Sequence, residues 1–373
     1  MRFLHTADWQ IGRQYPRFPA DDAAALAEAR FTAVSRIAAL AHEGGYTAVL
    51  VAGDVFDAQT VSERSIRRLF NAMQGYNGPW VLIPGNHDAA LVESVWSRAK
   101  RLGVIPDNVH VALQAQVIEF PDLGFAVLPA PLTQRQTATD LTAWFDLAQT
   151  TAGLLRIGLA HGSVQGILAQ DIDSPNPIAP DRAQRAQLDY LALGDWHGTR
   201  QINEFTWYSG TPEPDRFKSN GAGQLLSIEI AAAGLAPQVS VLPIASYEWL
   251  SWQEHVAVDS DIDVLLNRLA QLPENTVLEL QLTGHTDLAG QQRLQAGLAS
   301  AEAHLRSVQY DLLGLRFLPT DADIIALRAD GYVGEVLVQL QDYDQNQQMD
   351  GARDALVILA DILRDVQHTG DAS

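Results

Sequence analysis

The chain has 373 residues, of which 47% are hydrophobic and 19% charged, a composition typical of a folded protein with two or three domains rather than a disordered one. It contains no cysteine, which excludes structural disulfides, thiolate metal sites and cysteine nucleophiles. Its formal net charge of −20 argues against a protein that binds nucleic acid on its own, because phosphate neutralisation by Lys and Arg supplies most non-specific affinity.

Short apolar runs alternate with amphipathic helical stretches over the first 160 residues, and this alternation predicts an α/β fold in which helices cover the sheets. Strands are expected at 2–7, 48–53, 80–84, 109–113, 125–129 and 155–161. Helices are expected at 22–43 and 62–74, with Asp21 or Asp22 and then Ser62 as their N-caps. Later strands at 190–193, 205–208, 224–230 and 238–242 extend this first domain, 1–244.

From residue 248 the predicted order changes to strand, helix, strand, helix, strand, which predicts a small α+β domain over residues 247–318. A helical segment over 319–373 follows, best defined at 351–366, where Ala355, Ile358, Leu359 and Ile362 share one face. Residues 368–373 are expected to be disordered. Residues 243–373 carry 7 basic and 21 acidic side chains, against 18 and 24 in residues 1–242, so the acidity is concentrated in the last third.

The amino terminus enters patterned sequence at once, without the charged, apolar and small-residue succession of a signal peptide. Every apolar run is too short to cross a bilayer. Together with the lack of cysteine, these features lead us to predict a cytoplasmic protein that makes no membrane contact.

Polar residues able to bind metal follow the carboxyl ends of five predicted strands, where an open α/β sheet places its ligands. Taken one at a time, each has an ordinary structural explanation as a cap, a turn residue or a polar strand end. Because five turns repeat the same chemistry, we interpret the set as one metal site. Its members are Asp8 and Gln10, then Asp54 in Gly53-Asp54, then Asn86, His87 and Asp88 in Gly85-Asn86-His87-Asp88, then His161, and finally Asp195 and His197 in Gly194-Asp195-Trp196-His197.

These motifs resemble those of the calcineurin-like metallophosphoesterases, which carry Asp-x-His, Gly-Asp, Gly-Asn-His-Asp or Glu, a further His and Gly-His-x-His in this order. The resemblance implies a β-sandwich flanked by helices, and it covers the first domain, while the remainder matches only in layout. Two more stretches resemble the SbcD-type nuclease subunits of double-strand-break repair complexes, namely Phe3-Leu4-His5-Thr6-Ala7-Asp8-Trp9 and Tyr208-Ser209-Gly210-Thr211-Pro212-Glu213.

The resemblance implies two divalent metal ions, Mn²⁺ or else Mg²⁺, which together hold a phosphodiester and activate a water for its hydrolysis. His87 corresponds to the family's catalytic histidine, which steadies the phosphate and helps to protonate the leaving oxygen, a task that suits imidazole because its pKa lies near neutral pH. The first predicted ligand set is Asp8, Gln10, Asp54 and His197, and the second is Asp54, Asn86, His161 and Asp195, so that Asp54 bridges the two ions.

Two positions depart from the family pattern, because Gln10 and Asp195 each stand where the family has a histidine. Both still offer an oxygen ligand, so the predicted donor set shifts from nitrogen towards oxygen and favours Mn²⁺ or Mg²⁺. A neutral glutamine is a weak ligand, however, and a second interpretation is a scaffold subunit whose metal site is weakened.

Further residues near the motifs have two interpretations. Asp57 is either a cap or surface carboxylate, or an acceptor that orients a ligand or a water, and Asp88 is a candidate for the same orienting role. Trp9 and Trp196 either pack beneath the site or stack on an unpaired base. The candidates for contacts with backbone phosphates, with a solvated surface arginine as the alternative for each, are Arg13, Arg17, Arg200 and Arg216.

The resemblance implies a DNA exonuclease or endonuclease subunit that works as a dimer with a long coiled-coil ATPase of the SbcC type. In this interpretation the 247–318 domain caps the active site and orients the duplex, and the 319–373 segment docks the partner or else packs on its own domain. The alternative is a phosphodiesterase acting on nucleotides or other small phosphoesters, which the acidic composition suits better than long DNA.

Overall fold

A computed structural model of the chain describes residues 1–167, 175–317 and 332–345, together with Gly351, Ala352, Asp354, Ala355, Ile358, Leu359 and Ile362. The chain divides into two compact units, Met1–Glu248 and Trp249–Ser373. The helix predicted at 351–366 therefore lies largely outside the described residues, and the segment 368–373 lies wholly outside them. Among the described residues, no helix is long and apolar enough to cross a membrane.

The first unit contains both short strands and helices. The helices are α1 (Ala20–Glu43), α2 (Glu63–Ala72), α3 (Val95–Arg101) and α4 (Arg182–Arg185), with 3₁₀ turns at Met73–Gly75, Pro121–Leu123 and Ala143–Asp146. The strands are β1 (Arg2–Thr6), β2 (Ala48–Val51), β3 (Trp80–Leu82), β4 (Val109–Val111), β5 (Ile118–Phe120), β6 (Phe125–Ala130), β7 (Leu155–His161), β8 (Ser163–Val164), β9 (Pro177–Ile178), β10 (Tyr190–Gly194), β11 (Arg200–Asn203), β12 (Thr206–Tyr208), β13 (Gln224–Glu229) and β14 (Gln238–Pro243).

Most of these strands form two mixed sheets. One sheet has the strand order β14-β13-β1-β2-β3-β4, and the other has the order β11-β12-β10-β7-β6-β5. The central pairs are parallel, for example β1 with β2 and β7 with β10, whereas β13, β14, β5 and β11 pair antiparallel. Because parallel neighbours point the same way, the carboxyl ends of β1, β2 and β3 share one edge, and so do those of β7 and β10.

The two sheets pack face to face, and helices cover their outer faces. Phe3 of β1 and Phe125 of β6 meet edge-on in the core between the sheets, with 5.2 Å between their ring centroids. The next residue of β1, Leu4, belongs instead to the outer core, together with Ile37 of α1 and Trp96 of α3. Strand β1 thus buries both faces, as central strands of a helix-covered sheet do. The predicted α/β sandwich flanked by helices is confirmed.

One of the two N-cap predictions is wrong. Helix α1 begins at Ala20, and its N-cap position is Pro19, which offers no side-chain hydrogen bond. Asp21 and Asp22 lie in the first turn, where negative charge favours the helix dipole without capping the helix. The cap of α2 is as predicted, because Oγ of Ser62 accepts a hydrogen bond from the backbone N of Ser65 at 3.1 Å.

The second unit follows the predicted α+β order, with β15 (Glu248–Val256), α5 (Asp259–Ala270), β16 (Thr276–Thr286), α6 (Leu288–His304), β17 (Ser307–Phe317) and α7 (Tyr332–Gln345). Its strands form one sheet of order β15-β16-β17, in which β16 and β17 run parallel. Leu280 of β16, Leu265 of α5 and Leu298 of α6 belong to one buried cluster. Both helices therefore pack on the same sheet.

A buried polar pair lies between the two sheets of the first unit. His5 of β1 is fully buried, and its Nδ1 accepts a hydrogen bond from the hydroxyl of Tyr190 at 2.8 Å. Its Nε2 donates to the carbonyl of Leu193 at 3.2 Å, which fixes the neutral ring with the proton on Nε2. Burial lowers the pKa of His5 to about 3, although the bond to Leu193 partly opposes this effect.

This pair predicts a loss of stability in mild acid. In the unfolded chain His5 takes up a proton near pH 6.5, whereas in the folded protein it stays neutral down to about pH 3, so stability falls as the pH drops below 6.5. The His5 contribution between pH 7 and pH 5 is about 2 kcal/mol. His5→Gln, which keeps a donor and an acceptor but does not titrate, should therefore show a shallower pH dependence of the unfolding free energy in urea titrations. Equal pH dependence in the two proteins would contradict this account.

Candidate metal centre

Loops that follow four strands converge with the end of a fifth strand at one end of the sandwich, and they bring the predicted metal ligands together. Backbone hydrogen bonds join the first two loops, since Asp8 N donates to Gly53 O at 3.0 Å and Gln10 N donates to Asp54 O at 2.9 Å. The loops after β1, β2, β3 and β10 carry Asp8, Gln10, Asp54, Asn86, His87, Asp195 and His197, and His161 is the last residue of β7.

The backbone is strained at four of these positions. The angle φ is +54° at Asp8, +50° at Gln10, +51° at Asp54 and +100° at Asp195. Such conformations cost a non-glycine residue on the order of 1–3 kcal/mol and persist only where the surrounding structure enforces them. Strain of this kind clusters at functional sites, so its concentration here marks the convergent loops as the functional end of the sandwich.

Two glycines allow the loops to approach one another closely. A Cβ atom at Gly53, where φ is +89°, would stand 2.3 Å from Nδ1 of His161. A Cβ atom at Gly85 would stand 2.2 Å from Oδ1 of Asp54. Both distances are far below van der Waals contact, so any other residue at either position would displace a predicted ligand.

The second predicted ligand set surrounds Nε2 of His161. Nδ1 of this ring donates to the carbonyl of Ala52 at 2.8 Å, which joins the two sheets and directs Nε2 into the site. Nε2 lies 2.9 Å from Oδ1 of Asn86, 3.6 Å from Oδ1 of Asp54 and 3.7 Å from Oδ1 of Asp195. Four predicted ligands thus face a single point.

The first predicted ligand set lies on the other side of Asp54. Nε2 of Gln10 donates to Oδ2 of Asp54 at 2.9 Å, and Nε2 of His197 lies 4.0 Å from Oδ1 of Asp8. The backbone N of Asp195 donates to the carboxylate of Asp8 at 3.2 Å, which connects the two sets. The two oxygens of Asp54 therefore face different ligand sets, as a bridging carboxylate requires.

Charges of like sign are crowded and buried in this cluster. Burial raises the pKa of Asp8 to about 6 and that of Asp195 above its ordinary value, and neighbouring carboxylates add to the effect while His161 and His197 oppose it. Burial alone would lower the pKa of His161, but Asp54, Asp8 and Asp195 outweigh it and raise this pKa to about 9. A cation relieves such repulsion, so the cluster is electrostatically suited to bind one.

The donors themselves fit divalent metal ions. One ligand atom each from Asp8, Asp54 and His161 lie within 4.8 Å of one another, and all three residues are buried. Oε1 of Gln10 is also buried, and among the described residues it has no hydrogen-bond partner. A buried oxygen without a partner is costly, and a bound cation would satisfy it. This oxygen is compatible with the predicted role of Gln10 as an oxygen ligand, although the amide atom that contacts Asp54 is Nε2.

His87 sits at the rim of the cluster with its ring held in one orientation. Its backbone N donates to Oδ1 of Asp54 at 2.9 Å, and its Nδ1 donates to the carbonyl of Asp57 at 2.7 Å. Nε2 is then directed towards the site, 4.0 Å from Oδ2 of Asp54, and the side chain is 32% exposed. The free nitrogen of His87 is therefore accessible to a substrate bound at the cluster.

Asp88 connects loops and does not join the ligand cluster. Its carboxylate is fully buried and accepts hydrogen bonds from the backbone N of Gly85 at 2.6 Å and of Phe56 at 3.1 Å. Burial, together with nearby Asp54, raises the pKa of Asp88 to about 8 against these two hydrogen bonds. Asp88 thus fixes the loop after β3 to the loop after β2.

Asp57, by contrast, contributes its carbonyl to His87 and its carboxylate to an ion pair with Arg13 at 3.2 Å.

The four arginines considered for phosphate contacts have different environments. Arg13 and Arg216 both bind the carboxylate of Asp215, whereas Arg17 lies exposed on the surface. The guanidinium of Arg200 lies 5.7 Å from the ring centroid of half-buried Trp196, and Lys218, which the sequence analysis did not single out, lies at the same distance from this ring.

Trp9 packs beneath the site and is not available to stack on a base. Its ring is buried, its Nε1 donates to Oγ1 of Thr6 at 2.9 Å, and it meets Trp80 edge-on at 5.9 Å.

Asp215 is the residue that sequence reasoning missed, since it lies 18 positions from the histidine that it contacts and no motif links the two. Burial alone would raise the pKa of Asp215, but hydrogen bonds from His197 and Arg216 hold it far below its ordinary value.

The fold and this cluster define a metal-dependent phosphoesterase. Residues 1–222 match the model of the family described as calcineurin-like phosphoesterase, and the chain belongs to that family, as predicted. It is also 30% identical over 289 residues to the SbcD subunit of the SbcCD nuclease from Rhodobacter capsulatus, an alignment that covers 65% of this chain and 69% of that protein. The predicted resemblance to SbcD-type subunits is thereby confirmed.

Solved structures show a weaker likeness. TT1561 of Thermus thermophilus is 12% identical, with a TM-score of 0.42 and coverage of 65% of this chain and 98% of that one. A second solved structure is 9% identical, with a TM-score of 0.43 and coverage of 65% and 99%. Neither likeness bears on function, and the family membership rests on the sequence match.

The close approach of Gly85 to Asp54 predicts the effect of one added methyl group. Gly85→Ala places a Cβ atom 2.2 Å from Oδ1 and 2.5 Å from the backbone N of Asp54, so Asp54 must move and metal binding should be lost. Gly103→Ala is the matched control, because nothing lies within 4 Å of its Cβ position although φ is +60°. Isothermal titration with Mn²⁺ measures both variants. Wild-type affinity in Gly85→Ala would contradict the proximity of Gly85 to a ligand.

Proposed function

We propose that the chain is the nuclease subunit of an SbcCD-like DNA repair complex and hydrolyses phosphodiester bonds with two divalent metal ions. The observation that carries this proposal is Asp54, whose two carboxylate oxygens face two separate groups of buried side chains: Oδ2 accepts from Nε2 of Gln10 at 2.9 Å, and Oδ1 lies 3.6 Å from Nε2 of His161. Paired sites of this kind suit the in-line displacement of a phosphodiester.

Mn²⁺ is the metal that we propose, with Mg²⁺ as the alternative. Of the seven proposed ligands, Asp8, Gln10, Asp54, Asn86 and Asp195 offer oxygen, and His161 and His197 offer nitrogen. Oxygen-rich sites suit hard divalent ions better than Zn²⁺. When bound, the ions polarise the phosphate and lower the pKa of the attacking water.

His87 supplies the proton in the proposed reaction. Because its Nδ1 donates to the carbonyl of Asp57 at 2.7 Å, the ring keeps Nε2 turned towards the cluster, where the leaving oxygen departs. In the doubly protonated ring, Nε2 holds a second proton at that point, which can pass to the leaving oxygen and leave the neutral ring with its proton on Nδ1. In this proposal Arg17, Arg200 and Arg216 contact flanking phosphates, whereas Arg13 is engaged by two carboxylates.

DNA as the substrate rests on the similarity to the SbcD subunit of the SbcCD nuclease and on the distribution of charge. In this proposal 1–244 is the nuclease domain, 247–318 caps it and orients the duplex, and 319–373 docks a coiled-coil ATPase of the SbcC type in a dimeric cytoplasmic complex. Residues 319–373 carry 3 basic and 11 acidic side chains, so this segment repels DNA and suits a protein partner instead.

The overall charge supports a second candidate, a phosphodiesterase for nucleotides or other small phosphoesters. A net charge of −20 opposes long-range attraction of a polyanion but has less effect on a small diester that enters the site. Substrate size therefore separates the two candidates.

A comparison of substrates in one metal series tests the proposed function. We expect linear duplex DNA to be degraded at low salt in Mn²⁺, more slowly in Mg²⁺ and least in Zn²⁺. Asp54→Ala removes the shared ligand and should abolish this activity, while Asp107→Ala, on the exposed loop before β4, should retain it. Turnover of a chromogenic diester without degradation of DNA would favour the small-substrate enzyme. Full activity in Asp54→Ala with a native circular dichroism spectrum would overturn the two-metal reaction.

Replacement of His87 should separate catalysis from metal binding. His87→Ala should lower the turnover number by about 10²–10⁴-fold, the usual contribution of a general acid, while Mn²⁺ affinity stays as in the wild type. His42→Ala, at the exposed end of α1, is the control for loss of an imidazole. If His87→Ala loses Mn²⁺ in a calorimetric titration, His87 is a ligand and the proposed proton transfer is wrong.

A further inference from the structure

The imidazole of His197 contacts two groups of opposite hydrogen-bonding character through the same nitrogen. Its Nδ1 lies 3.2 Å from Oδ1 of Asp215, which can only accept, and 3.0 Å from Nη2 of Arg216, which can only donate. In a neutral ring just one of these contacts is a hydrogen bond. The choice between them decides which nitrogen carries the proton.

The two choices have opposite consequences for the other ring nitrogen. If Nδ1 carries the proton and donates to Asp215, Nε2 keeps its lone pair and faces Asp8, whose Oδ1 is 4.0 Å away. If Arg216 donates to Nδ1, the proton sits on Nε2, and this nitrogen can no longer bind a cation. The partner of Nδ1 therefore determines whether His197 is competent as a ligand.

The surrounding contacts favour Asp215. Two nitrogens of Arg216 already donate to the carboxylate of Asp215. Nε lies 2.9 Å from Oδ1, and Nη2 lies 3.0 Å from Oδ2. Arg13 holds Oδ2 from another direction at 3.2 Å. The side chain of Asp215 is only 1% exposed, so water does not compete for its oxygens. The carboxylate is thus fixed in place next to Nδ1 as an acceptor.

We propose that Asp215 is a positioning residue that keeps the proton of His197 on Nδ1 and thereby leaves Nε2 free to bind a divalent cation. The inference rests on the proposed function only in naming a metal ion as the species that Nε2 meets. A carboxylate behind a ligating histidine raises the basicity of the ring and fixes its orientation. Asp215 touches neither the metal nor the substrate in this role.

The same carboxylate is connected to the opposite side of the site through Arg13. Nη1 of Arg13 binds Oδ1 of Asp57 at 3.2 Å, and its Nη2 binds Oδ2 of Asp215 at 3.2 Å. The carbonyl of Asp57 in turn accepts from Nδ1 of His87 at 2.7 Å. Arg13 therefore links Asp215, which contacts His197, to Asp57, which orients His87. These two carboxylates pair with the charge of Arg13.

The tautomer of His197 in the unmodified, metal-free protein is the first test. Two-bond proton-nitrogen NMR correlations on protein labelled with ¹⁵N-histidine distinguish the two neutral tautomers, and the missing signals of His197→Gln identify the ring. At a pH where these correlations show a neutral ring, we expect the proton on Nδ1. A proton on Nε2 would show that Arg216 is the partner and would overturn the proposal.

Metal affinity in a matched pair of variants is the second test. Asp215→Asn leaves one acceptor oxygen for several donors, and we expect Mn²⁺ affinity to fall by about 10–100-fold and the Nδ1–H tautomer to be lost. Asp215→Glu, which restores a carboxylate, should recover part of both. Asp140→Asn removes a carboxylate that pairs with Arg182 at 2.8 Å in the same unit, and it should bind Mn²⁺ like the wild type.

The outcomes separate this inference from the proposed function. Wild-type Mn²⁺ affinity in a folded Asp215→Asn variant would overturn the role of Asp215 while leaving the metal site in place. If the wild type binds no Mn²⁺, the proposed function fails, and the tautomer of His197 still decides whether Asp215 positions this ring. An Asp215→Asn variant that does not fold leaves the decision to the same NMR measurement on the wild type.

Discussion

The burial of several carboxylates at one point is the constraint on which the rest of the first unit depends. Asp8 and Asp54 are at most 2% exposed, and Asp195 reaches the same cluster from the opposite sheet. Such a group repels itself unless cations enter or protons bind, so the fold must hold it against electrostatic cost. The strained φ angles and the tightly packed glycines are the structural means by which the loops meet this requirement.

The sandwich supplies the rigidity that this constraint demands. Each of the participating loops leaves the end of a buried strand, and hydrogen bonds such as Asp8 to Gly53 and His161 to Ala52 fasten one loop to the next. Asp88 adds a further connection between the loops after β2 and β3. Site residues anchored in this way hold their geometry before any ligand arrives, which is what preorganised catalysis requires.

Orientation of the histidines depends on acceptors outside the ligand cluster. Backbone carbonyls hold Nδ1 of His161 and of His87, at 2.8 Å and 2.7 Å, whereas Nδ1 of His197 meets a side-chain carboxylate. In every case Nε2 is the nitrogen that faces the cluster. The common arrangement explains how three imidazoles serve one site, and it singles out His197 as the ring whose partner a point mutation can remove.

The sequence by itself determined the α/β class, the succession of strands and the identity of the clustered residues, because strand periodicity and the ligand motifs are local patterns. It placed Asp8, Asp54, Asn86, His161 and His197 at the carboxyl ends of the correct strands, and the structure brings them together. Only the tertiary structure decided the remainder. It replaced the expected cap of α1 with Pro19, buried Trp9, and assigned Arg13 to two carboxylates. The pairing of Asp215 with His197 joins residues on separate loops, where no periodic pattern relates position to distance.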